Sequence, residues 1–210
     1  MPYTDAVIDI SHHNGNINLA NAQQVGILGV FHKATQGTTL RDPMYTTNRA
    51  QAQQLGLLWG AYHFGDGSDG AAQANYFLQT VQPGAGMLLA LDFEQNPSGP
   101  TMTMQQARDF VTQVQSATGI WPGLYGGGYL KGLLAGLADP VLSNCWFWLA
   151  EYGPAAQLPP GWANWTLWQY LDGAIVKDPN PIPGITPCDR NYYCDTSDTL
   201  QAKWATGSLA

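Results

Sequence analysis

Short apolar runs alternate along this chain with mixed stretches of roughly a dozen residues, the rhythm of strands followed by helices. Runs at 6–10, 27–32, 57–63, 87–94, 122–125, 145–150 and 165–170 read as strands. Helices are predicted between them from their end signals. One runs from about Asn18 to Val25 and closes at Gly26, and Asp42-Pro43 supplies a cap and a first-turn proline for the next, which stops at Gly56. Ser68 or Asp69 caps a third through Val81, and Thr103 with Gln106 forms a capping box for a fourth that ends near Gly119. A glycine-interrupted helix is expected over 129–137, none between the two aromatic strands, and the tail from Pro179 to Pro187 is broken by prolines. With no repeat, low-complexity tract or composition break, residues 1–210 read as one domain.

Such alternation implies βαβ units and a parallel sheet, either doubly wound or closed. The polar residues favour closure. Asp9, Lys33, Tyr62 with His63, Asp92, Tyr125, Trp148 and Gln169 each fall toward the end of a successive strand, where (β/α) barrels gather their functional groups. The expected fold is therefore of the α/β class, a single TIM-like (β/α) barrel, irregular because helices thin out after residue 137. No Gly-x-Gly-x-x-Gly turn follows the first strand, so a dinucleotide is not expected, nor is any other cofactor.

One strand carries an anomaly. Met87-Leu88-Leu89-Ala90-Leu91 is an apolar run that ends in Asp92-Phe93-Glu94, and a buried strand does not carry acids at its end without a reason. Residues two apart on a strand share a face, which would place the two carboxylates about 6.5 Å apart at the backbone. Paired carboxylates in a poorly hydrated place push their pKa values apart, leaving one protonated and able to donate. A loop cap or a cation site would use the same two residues, so the pair alone does not decide.

Composition narrows the partners. Eight Lys and Arg against fifteen Asp and Glu give a net charge of −7, which leaves no basic patch for nucleic acid. No window approaches the length of a membrane span, and the start Met1-Pro2-Tyr3-Thr4-Asp5 lacks the charged and apolar regions of a secretory signal, so synthesis in the cytoplasm is expected. Three cysteines make no scaffold; Cys188 and Cys194 are close enough in sequence to pair, though free thiols are equally compatible. Adjacent His12 and His13 read as a solvated loop rather than a metal site, and no metal is expected. A monomer is expected.

Six blocks together resemble the motifs of glycoside hydrolase family 25, the Chalaropsis-type muramidases. They are Asp9-Ile10-Ser11, Lys33 to Gly37, Gly60 to Phe64, Leu91 to Glu94, Trp148 to Tyr152 and Trp168-Gln169-Tyr170, in order and in spacing. The resemblance spans about residues 5–195. It implies an irregular (β/α) barrel with mixed strand direction at its closing end. It also implies hydrolysis of the β-1,4 bond between N-acetylmuramic acid and N-acetylglucosamine in peptidoglycan, in the manner of a phage endolysin or an exported bacterial enzyme. The family's proton donor falls on Glu94, its companion on Asp92, its first-strand acid on Asp9 and its late Asp-x-Asn motif on Asp189, with Asp195 and Asp198 as rivals for the last position.

A glycosidase needs an acid for the leaving oxygen and a negative or nucleophilic group near the anomeric carbon. Glu94 suits the first task, with Asp92 raising its pKa and orienting the substrate. Tyr62, Tyr125, Trp148, Gln169 and Lys33 are candidate sugar-binding groups, since aromatic faces stack on pyranoses and amides bond N-acetyl groups. Two other readings stand beside this one. A chitinase-like barrel also ends a strand in Asp-x-Glu, but its further aspartates would fall on Leu89-Ala90-Leu91; a catalytically silent sugar-binding barrel would keep the groove without the chemistry.

Overall fold

The computed structural model describes residues 3–174, 178 and 180–210, so Met1, Pro2 and Pro179 of the segments above lie outside the described residues. Nine strands and six α-helices follow one another: β1 (Thr4–Ile10), α1 (Leu19–Gln24), β2 (Gly29–Gln36), β3 (Leu40–Arg41), α2 (Tyr45–Leu55), β4 (Leu58–Phe64), α3 (Gly70–Val81), β5 (Leu88–Asp92), α4 (Met104–Thr118), β6 (Gly123–Gly126), α5 (Gly128–Leu134), β7 (Trp146–Ala150), β8 (Leu167–Leu171), β9 (Asp189–Tyr193) and α6 (Ser197–Ala205). Pairing of β1 with β2 closes the sheet, whose order is β1-β9-β8-β7-β6-β5-β4-β2, with the two-residue β3 appended to β2. All neighbours in the ring are parallel except β9, which runs antiparallel to both β8 and β1. The expected irregular α/β barrel is present, and one reversed strand closes it.

Most predicted ends hold to within two or three residues, with informative exceptions. Asn18, Asp69 and Thr103 cap α1, α3 and α4, and Gly56 and Gly119 end α2 and α4 in the left-handed region. Asp42 is not the cap of α2: the helix starts at Tyr45, and the Asp42 carboxylate accepts from the His12 and Met44 amides and faces the His12 ring. The strand carrying Asp92 ends there, so Glu94 sits beyond it in a bend, and the two acids are not alternate residues of one strand. Both β9 and α6 lie beyond the proline-broken tail, in residues to which the sequence pattern assigns no element.

Alternation along each strand sorts the core into two layers. Outward residues such as Ile8, Val30, Ala61, Leu91 and Phe147 pack under the helices. Inward residues such as Val7, Phe31, Ala90, Trp146, Trp148 and Leu167 fill the barrel. Phe31 sits among three indoles, its centroid 6.0, 4.7 and 5.1 Å from Trp146, Trp148 and Trp204. Rings of this size fit because inward glycines yield to them: a Cβ on Gly60 would come 2.4 Å from the Phe31 ring, and one on Gly123 would come 2.3 Å from Trp146. Trp204, from α6, enters through the end of the barrel where the parallel strands begin and donates to the Trp59 carbonyl at 3.1 Å. That end is plugged.

All three cysteines are free thiols. Cys188 and Cys194 bracket β9, which at the rise of an extended strand separates them by roughly 20 Å, far beyond disulfide reach.

Candidate active site

At the other end, where the parallel strands finish, a cleft of about 510 Å³ opens. Asp9, Asp92 and Tyr125 come from the last turns of rise of β1, β5 and β6, and Trp148 and Gln169 from the inward face of β7 and β8. Asp189 reaches the same rim by a different route. It is the first residue of an antiparallel strand, and its register partner is Asp9, so reversal of β9 brings a strand start to where the other strands end. Glu94 follows β5 by two residues and also lines the cleft.

Asp9 is held from two sides. Gln169 Nε2 donates to its two oxygens at 3.1 and 3.0 Å, and Asn191 Nδ2 donates to Oδ2 at 2.8 Å. These donors are themselves fixed. Gln169 Oε1 accepts the hydroxyls of Tyr125 at 2.8 Å and Tyr152 at 2.5 Å, and Asn191 Oδ1 accepts Trp148 Nε1 at 2.6 Å. Both ends of the Gln169 carboxamide are therefore committed inside the protein, and only one orientation of that amide satisfies an acceptor-only carboxylate and two phenols together. Trp148 is buried beneath the cleft, edge-on to Tyr62 and Tyr125, and forms its floor.

The acids lie too deep to ionise freely. Burial raises Asp9 to about 6 against the hydrogen bonds from Asn191 and Gln169, which pull it down. Burial first, then the neighbouring Asp9, raise Asp189 to about 8, although the Gly173 amide donates to its Oδ1 at 3.0 Å. Asp92 is pushed well above the carboxylate range, chiefly by burial and then by Glu94, and its buried Oδ1 has no hydrogen-bond partner among the described residues. Glu94 is also raised, by burial and then by Asp9, but it remains partly exposed. Asp92 and Glu94 thus compete for protons, Asp92 buried and Glu94 open to the cleft.

Lys33 is not among the residues lining the cleft. Its ammonium donates to Gln36 Oε1 at 2.7 Å and lies over the Phe64 ring, and burial lowers its pKa against the pull of Asp92. Asp195 and Asp198 sit at the start of α6, away from the cleft, where Asp195 accepts the Thr196 amide. His63 is buried between Thr35 and Gln73, lowered to about 4 and therefore neutral. Two lining residues, Tyr152 and Asp172, escaped the sequence reading. Each falls one or two residues past a strand, the same signal that marked the others, but without the apolar run that framed Asp92. Among the described residues no cluster of His, Cys, Asp and Glu could hold a metal ion, and no helix is long and apolar enough to cross a membrane.

Comparison with known proteins converges on one group. The sequence profile of the glycosyl hydrolases family 25 matches residues 8–178. Lysozyme M1 of Streptomyces globisporus is 31% identical over 182 residues, covering 78% of this chain and 60% of that protein, so the chain spans under two thirds of that relative. The N,O-diacetylmuramidase of Chalaropsis sp. is 29% identical, covering 95% of this chain and 98% of that one. In three dimensions the muramidase from Acremonium alcalophilum superposes with a TM-score of 0.82 at 31% identity, over 96% of this chain and 98% of the other.

Proposed function

The chain belongs to glycosyl hydrolases family 25, and from that premise we propose that it is an N-acetylmuramidase that lyses bacterial cell walls. Its substrate is then the glycan of peptidoglycan, cut at the β-1,4 bond between N-acetylmuramic acid and N-acetylglucosamine. The observation that supports this reading most is the convergence of Asp9, Asp92, Glu94 and Asp189 on one cleft floored by an indole and walled by tyrosines.

In this reading Glu94 is the general acid. It is the partly exposed member of the Asp92–Glu94 pair, so its raised proton can reach a glycosidic oxygen in the cleft. Asp92 stays neutral below it. The proton it keeps and its unpartnered Oδ1 are free to bond the 2-acetamido group of the sugar that will carry positive charge. Asp9, ionised above about pH 6, supplies the negative charge facing the oxocarbenium-like transition state, in an orientation fixed before substrate arrives. Asp189 retains a proton up to about pH 8 and shares it with Asp9. Tyr62 and Tyr125, kept protonated by burial, offer ring edges and hydroxyls to the pyranose. Lys33 contributes long-range positive charge near Asp92 rather than a sugar contact.

The test is chemical. Incubation with purified peptidoglycan should release reducing sugar ends without releasing amino groups. Amino-group release would make the protein an amidase or peptidase, and wall binding without either product would make it a silent binding barrel.

A further inference from the structure

A second groove leaves the cleft on the side of β6 and β7. It shares Glu94, Tyr125 and Tyr152 with the cleft and extends through about 1090 Å³, past Gly127 to Lys131 and Glu151. Gly127 lets the chain run close against β7 in its wall; a Cβ there would come 2.8 Å from the Ala150 carbonyl. Lys131 projects from α5, Glu151 follows β7 directly, and their charged ends form an ion pair with side chains 26% and 27% exposed.

The backbone under Glu151 is fixed. Its amide donates to the Gln169 carbonyl at 3.2 Å, and its own carbonyl accepts Trp168 Nε1 at 2.7 Å. A partly exposed ion pair adds little to folding stability, so packing alone does not account for one set on a rigid base in a groove wall. Such a pair does have a use in recognition. A ligand carrying both an ammonium and a carboxylate can replace one internal pair with two external ones, at no net loss of charge pairing. Among the described residues, the lining of the neighbouring cleft holds no Lys or Arg to take the carboxylate.

Resting on the muramidase reading, we propose that Lys131 and Glu151 form a site for the zwitterionic stem peptide borne by muramic acid. Glu151 takes the ammonium of the peptide's diamino residue and Lys131 takes a stem carboxylate, while the glycan lies across Glu94. The pair thereby makes the protein prefer peptide-bearing glycan over bare glycan.

The experiment uses soluble glycan chains with their stems intact and the same chains stripped by an amidase. Wild type, Lys131→Met, Glu151→Gln and the charge-swapped double variant are compared on both, with melting curves to check folding. On peptide-bearing chains the single variants should lose about tenfold or more in kcat/KM, the value of one lost charge-assisted contact. On stripped chains they should match wild type. Equal losses on both substrates, or no loss on either, would overturn the peptide site while leaving the muramidase reading standing. Wild type inert on both substrates would instead remove the muramidase reading and the peptide site with it. Should the variants melt early, the free stem peptide serves as competitor for wild type: inhibition of cleavage supports the site, and no inhibition at millimolar peptide overturns it.

Discussion

The two ends of this barrel are built from the same strands and obey opposite rules. At the end where the parallel strands begin, Trp204 of α6 fills the opening against Phe31, and the one polar atom of that indole, Nε1, donates to the Trp59 carbonyl. At the end where they finish, the inward positions change from apolar to acidic within one residue pair: Ala90 gives way to Asp92 on β5, and Val7 to Asp9 on β1. One end accumulates packing; the other accumulates carboxyls whose pKa values burial raises. The lesson is that stability and chemistry are separated along the barrel axis by about two residues of each strand, and substitutions should sort accordingly.

Four experiments can break or sharpen that separation. The largest effect belongs to Glu94→Gln, which keeps shape and removes the transferable proton. Turnover should fall by about a thousandfold or more with the melting temperature unchanged within a degree or so. Retained turnover would move the acid elsewhere on the rim. At the plugged end, Trp204→Ala should cost roughly 3–5 kcal/mol in denaturant unfolding, the cost of emptying an indole-sized core site, while kcat per folded molecule stays near wild type. A large loss of kcat in that variant would show that the two ends are coupled.

A smaller effect concerns pH. Asp189 binds its proton more tightly folded, near 8, than at its ordinary value of 3.8. The native state therefore carries the extra proton between these values, and stability falls as pH rises across that window. Asp189→Asn, which keeps an acceptor for the Gly173 amide, should flatten the fall. It should gain about 2 kcal/mol over wild type near pH 8 and little near pH 4, less than the full shift implies because Asp189 touches solvent. Equal pH profiles for the two proteins would mean that Asp189 is not held protonated. The smallest effect is at a helix end that does not line the cleft. Thr103→Ala removes the capping box of α4 and should cost about 1 kcal/mol in stability with kcat untouched.

The legible parts of the fold were those in which local pattern and tertiary environment agree. Buried parallel strands read as apolar runs, and helices such as α4 carry both cap signals. The strand β9 was hidden because its inward residues are Asp189 and Asn191, which serve the cleft and imitate a loop in a hydropathy pattern. The helix α6 was hidden because two buried residues, Leu200 and Trp204, anchor an otherwise polar segment. The site is legible from acids placed after apolar runs, but strand alternation does not account for the pairing of Asp92 with Glu94. They face one cleft because the chain bends after Asp92, not because they alternate along a strand. Gln169 was found for its position, but its amide is consumed by Asp9 and two tyrosines, a commitment that no spacing rule reveals.

The reversed ninth strand has a consequence in time. Its pairing joins Asp9 to Asp189 and carries Asn191 to the Asp9 carboxylate, so the barrel seam unites the first strand with one more than 180 positions later. A growing polypeptide on the ribosome keeps β1 with a bare flank until β9 emerges, and until then Asp9 lacks both its partner acid and one of its two donors. The four acids of the cleft can therefore come together only once β9 has left the ribosome, however early the other strands have paired.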